Sequence, residues 1–361
     1  MSARTLKNKV AVIGGGGKNL GALIGHQLVD GGARGIAIHY NSDASRGDAE
    51  QTAAALRAKG ADTLLVQGDL SVVENDVRLF DQAVAHFGQV DIAINTAGVV
   101  IKKPILDVTE ADYDRSFDAN AKAAFFFIQQ AGRTLADGGS IVSLVSSLLA
   151  AYTPFYAIYP GSKAAVEHFT RAASKEFGER GISVNAIGPG PMDTPFFYGQ
   201  ESKEAVEYHS SAAALSKFSK RGLTDIEDIA PIVRFLVTEG WWITGQTIFA
   251  NGGYTTRWDE AKRQDGGWRK TQMHTIMVMG GGFVLLAVFL LASRFVGDGS
   301  SLALATAAKW FIPAWFIGAG INMAVGVLKA GYSVAEELPI FLLIFAVPAV
   351  VAGLLWWKFG R

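Results

Sequence analysis

A doubly wound α/β domain followed by a bundle of apolar helices is the fold class that this 361-residue sequence predicts. Three observations carry it. Short β-branched runs alternate with amphipathic stretches up to about residue 257, the pattern of repeated βαβ units around a covered parallel sheet. A glycine turn joins the first of those runs directly to a helical pattern. Past residue 257 a charged stretch gives way to long segments with almost no polar stripe.

The strand candidates, in order, are VAVIG, GIAIHY, TLLVQGD, VDIAIN, GSIVSLVS, ISVNAIGPG and QTIFANGG. Seven such strands fit one domain over residues 1–257. Residues 258–273, which include WDEAKRQDGGWRKTQ, read as a charged linker. The remainder, 274–361, holds three predicted spans at about 274–296, 310–328 and 338–357. Each approaches the ~20 residues that cross a hydrocarbon core of ~30 Å at 1.5 Å per residue. The first carries no charge between His274 and Arg294. The second holds Pro313, Asn322 and small residues that let helices approach closely. The third ends in Trp356, Trp357 and Lys358, an aromatic and basic interface pattern. Lys309, Lys329, Glu336 and Glu337 lie near predicted helix ends, where snorkelling or loop solvation accounts for them. The alternative is a buried three-helix soluble bundle.

The net charge is zero, so the basic excess that phosphate backbones require is missing and no nucleic-acid partner is expected. With no cysteine there is no disulfide framework, thiolate nucleophile or cysteine metal site, and no metal is expected. The N-terminus runs from a short basic lead straight into a strand without a signal-peptide core, which keeps the first domain in the cytoplasm. Three spans then make a multi-pass membrane protein with its C-terminus outside. Lys262, Arg263, Arg269 and Lys270 agree with that orientation, and Lys358 and Arg361 oppose it.

In VAVIGGGGKNLGALIG the glycines let a pyrophosphate approach the backbone, and the following helix N-terminus offers free N–H groups and a positive dipole end. Gly15 and Gly21 flank Lys18, Asn19 and Leu20. A site that prefers NAD commonly has an acid after the second strand. Here His39, Tyr40, Asn41 and Ser42 stand in that place, and together with Lys18 they favour a ribose 2′-phosphate and hence NADPH. Lys18 alternatively only solvates the turn. Asp69, followed by Leu70, is placed to accept a hydrogen bond from an adenine amino group, and Asn95, Thr96, Ala97 and Gly98 suit packing beside the adenosine.

Residues from about 7 to 257 resemble the short-chain dehydrogenase/reductases with a glycine-rich NADP-binding turn. The resemblance rests on Gly15, Lys18, Asn19 and Gly21, on Asp69, on the NTAG of strand four, and on the Tyr159 and Lys163 pair. It implies a seven-stranded Rossmann sheet, NADP(H) as cofactor, a small-molecule carbonyl or alcohol substrate, and a homo-oligomer. It also implies that Asn120, Ser146, Tyr159 and Lys163 are catalytic. Ser146 would hold the substrate oxygen, Lys163 would reach the nicotinamide ribose, and Asn120 would position a water. Pro189, Gly190, Met192 and Thr194, in IGPGPMDTP, match the segment that covers the nicotinamide. Four residues apart on a helix, Tyr159 and Lys163 share a face, so the ammonium can lower a phenol pKa that is ordinarily about 10. Ser147 is a rival to Ser146. Gly14, Asn19 and Thr96 depart from the usual family residues, and Asn19 tolerates left-handed backbone.

Phe196, Phe197 and Tyr198, with Leu148, Tyr152 and Phe155, either wall a substrate pocket or pack beneath a lid. A membrane module beside such a site suggests a lipid-soluble carbonyl compound. The rival from another class is a membrane-tethered protein that senses NADP(H) without turnover.

Overall fold

The computed structural model describes residues 4–151, 153–256, 267–296, 300–329 and 334–360. The chain divides into two compact units, residues 1–257 and 258–361.

The first unit is one seven-stranded sheet of β1 (Val10–Gly14), β2 (Gly35–Tyr40), β3 (Asp62–Gln67), β4 (Val90–Asn95), β5 (Leu135–Leu144), β6 (Ser183–Pro189) and β7 (Thr247–Ala250). All pairs are parallel, in the order β3-β2-β1-β4-β5-β6-β7. The order reverses between β1 and β4, which opens a crevice at their carboxyl ends. Alternate side chains face opposite ways. Ala11 and Ile13 join Ile24, Leu28, Ala53, Leu56, Ile229 and Val233 on one face, from α1 (Asn19–Asp30), α2 (Arg46–Ala58) and the helix Ile226–Leu236. Val10 and Val12 join Leu79, Phe80, Phe127 and Ala131 on the other, from α3 (Val73–Phe87) and the helix Ala123–Thr134. With both faces buried, the strands read as nearly continuous apolar runs.

Strand five starts at Leu135 rather than at Gly139, where the sequence predicts it. Its register against β4 jumps from the pair Val90 and Leu135 to the pair Ile92 and Ser140. The residues before Gly139 belong to the strand through a bulge, with Gly138 at φ +77°.

Between β4 and β5 lie α4 (Glu110–Phe117), a π-helical turn at Asp118–Lys122, and α5 (Ala123–Thr134). A helix α6 (Ile158–Glu176) follows β5. The segment after β6 contains α7 (Pro195–Tyr198) and α8 (Lys203–Ala212), and α9 (Ile226–Leu236) precedes β7.

The second unit consists of α10 (Gly267–Val296), α11 (Ser301–Lys329) and α12 (Val334–Phe359). All three contain stretches long and apolar enough to cross a membrane: His274–Phe295, Ser301–Leu328 and Glu337–Phe359. Leu286, Phe311, Trp315, Ala319, Ile344 and Ala352 form their buried centre, while Ile276, Ile317, Leu343 and Leu354 point outward. Helices that are apolar on the outside as well as the inside suit a lipid surround.

The helix boundaries differ from those the sequence predicts. Helix α10 begins at Gly267, so the last part of the predicted 258–273 linker is helical; Lys262 and Arg263 lie outside the described residues. Helix α11 begins at Ser301 instead of 310, beside a Ser300 hydroxyl that accepts from the Ala303 N–H at 3.2 Å. Lys309 therefore sits within the helix and not at its end, with its ammonium 5.6 Å from the Trp356 ring centroid. Glu337 is buried where Gly326 leaves room: a methyl built on that glycine would lie 2.3 Å from the carboxylate. The side chains of Lys329 and Glu336 lie outside the described residues.

Pro348 within α12 removes the N–H that would bond to the Ile344 carbonyl. The Trp315 indole N–H of α11 donates to that oxygen at 3.1 Å. Replacing Trp315 by Phe should cost the full-length protein about 1 kcal/mol, read from unfolding in a detergent titration. In a Pro348→Ala background, where a backbone N–H returns, the same change should cost measurably less; equal costs in both backgrounds would refute the assignment.

Candidate active site

Strand β1 delivers the chain to the crevice at Gly14, and Gly15 turns it with φ +75°. The Gly15 N–H donates to His39 Nδ1 at 3.1 Å, and His39 Nε2 meets the Gly68 carbonyl at 2.6 Å. Nε2 must then carry the proton, and burial, which lowers the imidazole pKa, keeps the ring neutral. His39, at the position where an acid would hold a ribose, instead braces the turn from below. Asn19 is left-handed at φ +48°, as its short polar side chain permits. A methyl on Gly21 would lie 2.3 Å from the Gly15 oxygen, so turn and helix meet backbone to backbone. Thr96 donates from Oγ1 to the Gly14 carbonyl at 2.8 Å and ties β4 to the turn.

Gly15, Lys18, Asn19, Leu20 and Gly21 all line one cleft of about 650 Å³. Lys18 is paired with Asp48 at 3.0 Å, with both side chains about half exposed. Tyr40 and Asn41 line the same cleft. Ser42 does not; it caps a short turn with Ser45, which takes its place on the wall. Arg46, which the sequence reading passed over, lies 5.7 Å from the Tyr40 ring centroid and contacts Asp43 and Gln67 at 3.0 and 2.9 Å. Asp69 and Leu70 line the cleft, and Asp69 Oδ1 accepts from the Ser71 N–H at 2.9 Å. Asn95 lies behind the wall, where its Oδ1 accepts from the Ala97 N–H at 3.0 Å and so presents Ala97 and Gly98 to the cleft.

Helix α6 carries Tyr159 in its first turn and Lys163 one turn on, both buried and both on the cleft. Ser146, at the end of β5, hydrogen-bonds Tyr159 and accepts the Leu148 N–H at 3.1 Å. The sequence reading expects Lys163 to lower the Tyr159 pKa. In the structure burial instead pushes the phenol up to about 12, and the Ser146 hydrogen bond offsets this only in part. Burial also lowers the Lys163 ammonium to about 8, while its Nζ donates to the Leu144 carbonyl at 2.9 Å. Near neutral pH the phenol keeps its proton and the ammonium still holds its charge.

Asn120 sits in the π-helical turn, a distortion common at functional sites. Its amide is fully engaged: Oδ1 accepts from the Val99 N–H, and Nδ2 donates to the Val99 carbonyl and to Ser162 Oγ, at 2.9, 2.9 and 3.1 Å. It stands behind the wall, with no described part lining the cleft. A methyl on Gly98 would lie 2.7 Å from Asn120 Oδ1 and 3.1 Å from Lys163 Nζ, so a bare backbone at Gly98 is what lets the three meet. Ser147 donates to the Gly188 carbonyl at 3.1 Å and accepts from Asn251 Nδ2 at 2.9 Å, while Ser146 is the hydroxyl that hydrogen-bonds Tyr159.

Pro189, Gly190, Met192 and Thr194 continue the wall on the far side. Phe196, Phe197 and Leu148 line it as expected, but Phe155 and Tyr198 do not. Phe155 has φ +71° and is half exposed, so Tyr156 takes the inward place. The Tyr198 hydroxyl donates to Asp193 at 2.8 Å. Tyr152 lies outside the described residues. Glu201, His209 and Tyr254, unforeseen from sequence, close the end of the cleft.

The cradle fits a dinucleotide: glycine backbone where side chains would collide, the start of a 12-residue helix, and Asp69 on the same cleft. Comparison with known proteins agrees. The family described as enoyl-(acyl carrier protein) reductase matches residues 16–255. The short chain dehydrogenase/reductase nsrJ of Aspergillus novofumigatus is 37% identical over 258 residues, which cover 69% of this chain and 96% of nsrJ. A Burkholderia cenocepacia protein described as a dehydrogenase, with bound NADP, is 61% identical at a TM-score of 0.70, over 71% of this chain and 97% of its own. The angucycline C-6 ketoreductase LanV with bound NADP is 30% identical at 0.64, over 70% of this chain and 98% of its own. The family match ends before the three apolar helices begin. Its first unit has the sheet, the turn and the likeness to NADP-bound structures, and on that ground the chain belongs to the NADP-type short-chain dehydrogenase/reductase family of oxidoreductases.

Proposed function

We propose that the chain is a membrane-anchored, NADPH-dependent carbonyl reductase that works through Ser146, Tyr159 and Lys163. The observation that supports this most is the meeting of those three side chains on the cleft that starts at the glycine turn. The cofactor supplies a hydride to the carbonyl carbon. Tyr159, protonated near neutral pH, gives its proton to the carbonyl oxygen, and Ser146 holds that oxygen by a hydrogen bond. Lys163 keeps a positive charge beside the site as the phenolate forms. Asn120 positions Val99 and Ser162 around it. The wall formed by Leu148, Met192, Phe196 and Phe197 favours an apolar carbonyl compound. The three apolar helices would span the bilayer, with the catalytic unit on the cytoplasmic side.

The test is reduced-nicotinamide fluorescence on the detergent-purified full-length protein. NADPH should bind at least ten-fold more tightly than NADH. Lys18→Ala should weaken NADPH by about ten-fold, the scale of one charged hydrogen bond, and NADH by less than two-fold. Equal affinity for both nucleotides would overturn the cofactor preference, and no binding of either would overturn the enzyme.

A further inference from the structure

We infer that Glu201 recognises the substrate, accepting a hydrogen bond from a hydroxyl that the carbonyl compound carries remote from its reacting carbonyl. The inference rests on the oxidoreductase reading of the cleft.

Glu201 stands between α7 and α8, on the segment after β6 that forms one side of the cleft. Its side chain is 1% exposed. Oε2 accepts from Lys102 Nζ at 2.5 Å, and His209 Nε2 lies 4.0 Å from the same oxygen. Among the described residues Oε1 has no hydrogen-bond partner. A buried carboxylate oxygen without a donor is costly, and such groups are ordinarily satisfied. The chain thus neutralises this carboxylate and leaves one of its two oxygens for a donor from elsewhere.

The cleft itself points to where that donor comes from. Tyr159 and Ser146 line the same cavity as Glu201, and Leu148, Met192 and Phe197 wall it with apolar surface. A molecule whose carbonyl meets Tyr159 and whose body lies against that surface brings its remote substituents toward Glu201. The charge balance selects the kind of donor. The Lys102 ammonium already pairs with the carboxylate and lies 5.2 Å from the Tyr156 ring centroid, so a second cation would find no net negative field. A neutral hydroxyl satisfies Oε1 without adding charge. The substrate class is therefore an apolar, ring-sized carbonyl compound with a hydroxyl, and a site built this way discriminates strongly against the analogue that lacks it.

The experiment uses full-length protein in detergent, saturated with NADPH, and matched bicyclic ketones bearing hydrogen, hydroxyl or amino at each ring position remote from the carbonyl. For at least one position the wild type should favour the hydroxyl compound over the hydrogen compound by about 30-fold in kcat/KM. The double variant Glu201→Leu with Lys102→Met replaces the pair by apolar groups, and should reduce that ratio below about three-fold while leaving the hydrogen compound's kcat/KM within about three-fold. Glu201→Ala serves if the double variant does not fold. Ratios below three-fold in the wild type at every position would overturn the inference. So would equal losses on both members of a pair, which would make Glu201 a strap for the lid, or a preference for the amino compound. If no ketone is reduced, the reductase reading fails on its own. The same ratio is then read from calorimetric binding of the pairs to the NADP-loaded protein, where equal affinities overturn the inference.

Discussion

Tyr159→Phe is expected to lower carbonyl reduction by about 10³-fold while NADPH affinity stays within about three-fold. The substitution keeps the ring that fills the buried first turn of α6 and removes only the hydroxyl. Ser146 loses a partner but still accepts the Leu148 N–H at 3.1 Å, so the wall keeps its shape. Chemistry is where the loss falls. With its pKa pushed up to about 12 the phenol is protonated at neutral pH, and Tyr159 is the proton carrier that meets Ser146, whereas the Lys163 Nζ is turned to the Leu144 carbonyl at 2.9 Å. Without it, the alkoxide formed by hydride arrival must wait for water. Steady-state reduction of a cyclic ketone, with NADPH fluorescence as the binding control, decides the matter. Activity within ten-fold of wild type would remove Tyr159 from the mechanism.

Gly21→Ala should weaken NADPH binding by at least about 100-fold, near 2.7 kcal/mol, without unfolding the protein. The added methyl would lie 2.3 Å from the Gly15 oxygen and 2.9 Å from the Gly16 Cα, both backbone atoms that no rotamer change can move. The turn must shift, and with it the N–H groups that face a pyrophosphate. Helix α1 itself gains from the change, by about 1 kcal/mol in propensity, so nucleotide-free stability should hold. Gly25→Ala, one turn on, is the control. Its methyl would meet side-chain ends, Leu56 at 3.3 Å and Ile13 at 3.6 Å, and NADPH affinity should change by less than about three-fold. Binding by the Gly21 variant equal to that of wild type would mean that the nucleotide lies elsewhere.

What could be read from the sequence was local. The glycine turn sits within a single strand-turn-helix run, and Tyr159 and Lys163 lie one helical turn apart, so spacing alone brings each group together. The same holds for the strands, whose buried faces leave continuous apolar runs. Groups assembled across the chain were not legible. Lys102 and Glu201 pair over 99 residues, and nothing near either predicts the other. His39 could be placed near the end of β2, but its grip on Gly15 needed the parallel pairing of β1 with β2. Phe155 and Tyr198 fail as pocket residues because one lies in a loop and the other in a four-residue helix, both too short of periodicity for a facing direction to be inferred. The Tyr159 pKa was misjudged for a different reason. Helical spacing shows that an ammonium is near, whereas the burial that outweighs it belongs to the tertiary fold.

The hydrogen bond from Trp315 to the Ile344 carbonyl also bears on how the apolar unit can change over time. Trp315 supplies what Pro348 withholds, so either residue alone leaves something wanting: a bare carbonyl without the indole, or a stranded indole N–H without the proline. Between apolar helices in lipid, where burial gives little direction, such a pair fixes one rotational setting of α12 against α11. The two positions therefore form a single heritable unit. In descendants of this chain they should be kept together or lost together, and Gly282 should follow them, because a methyl there would lie 2.6 Å from the Trp315 ring and 3.0 Å from the Pro348 ring.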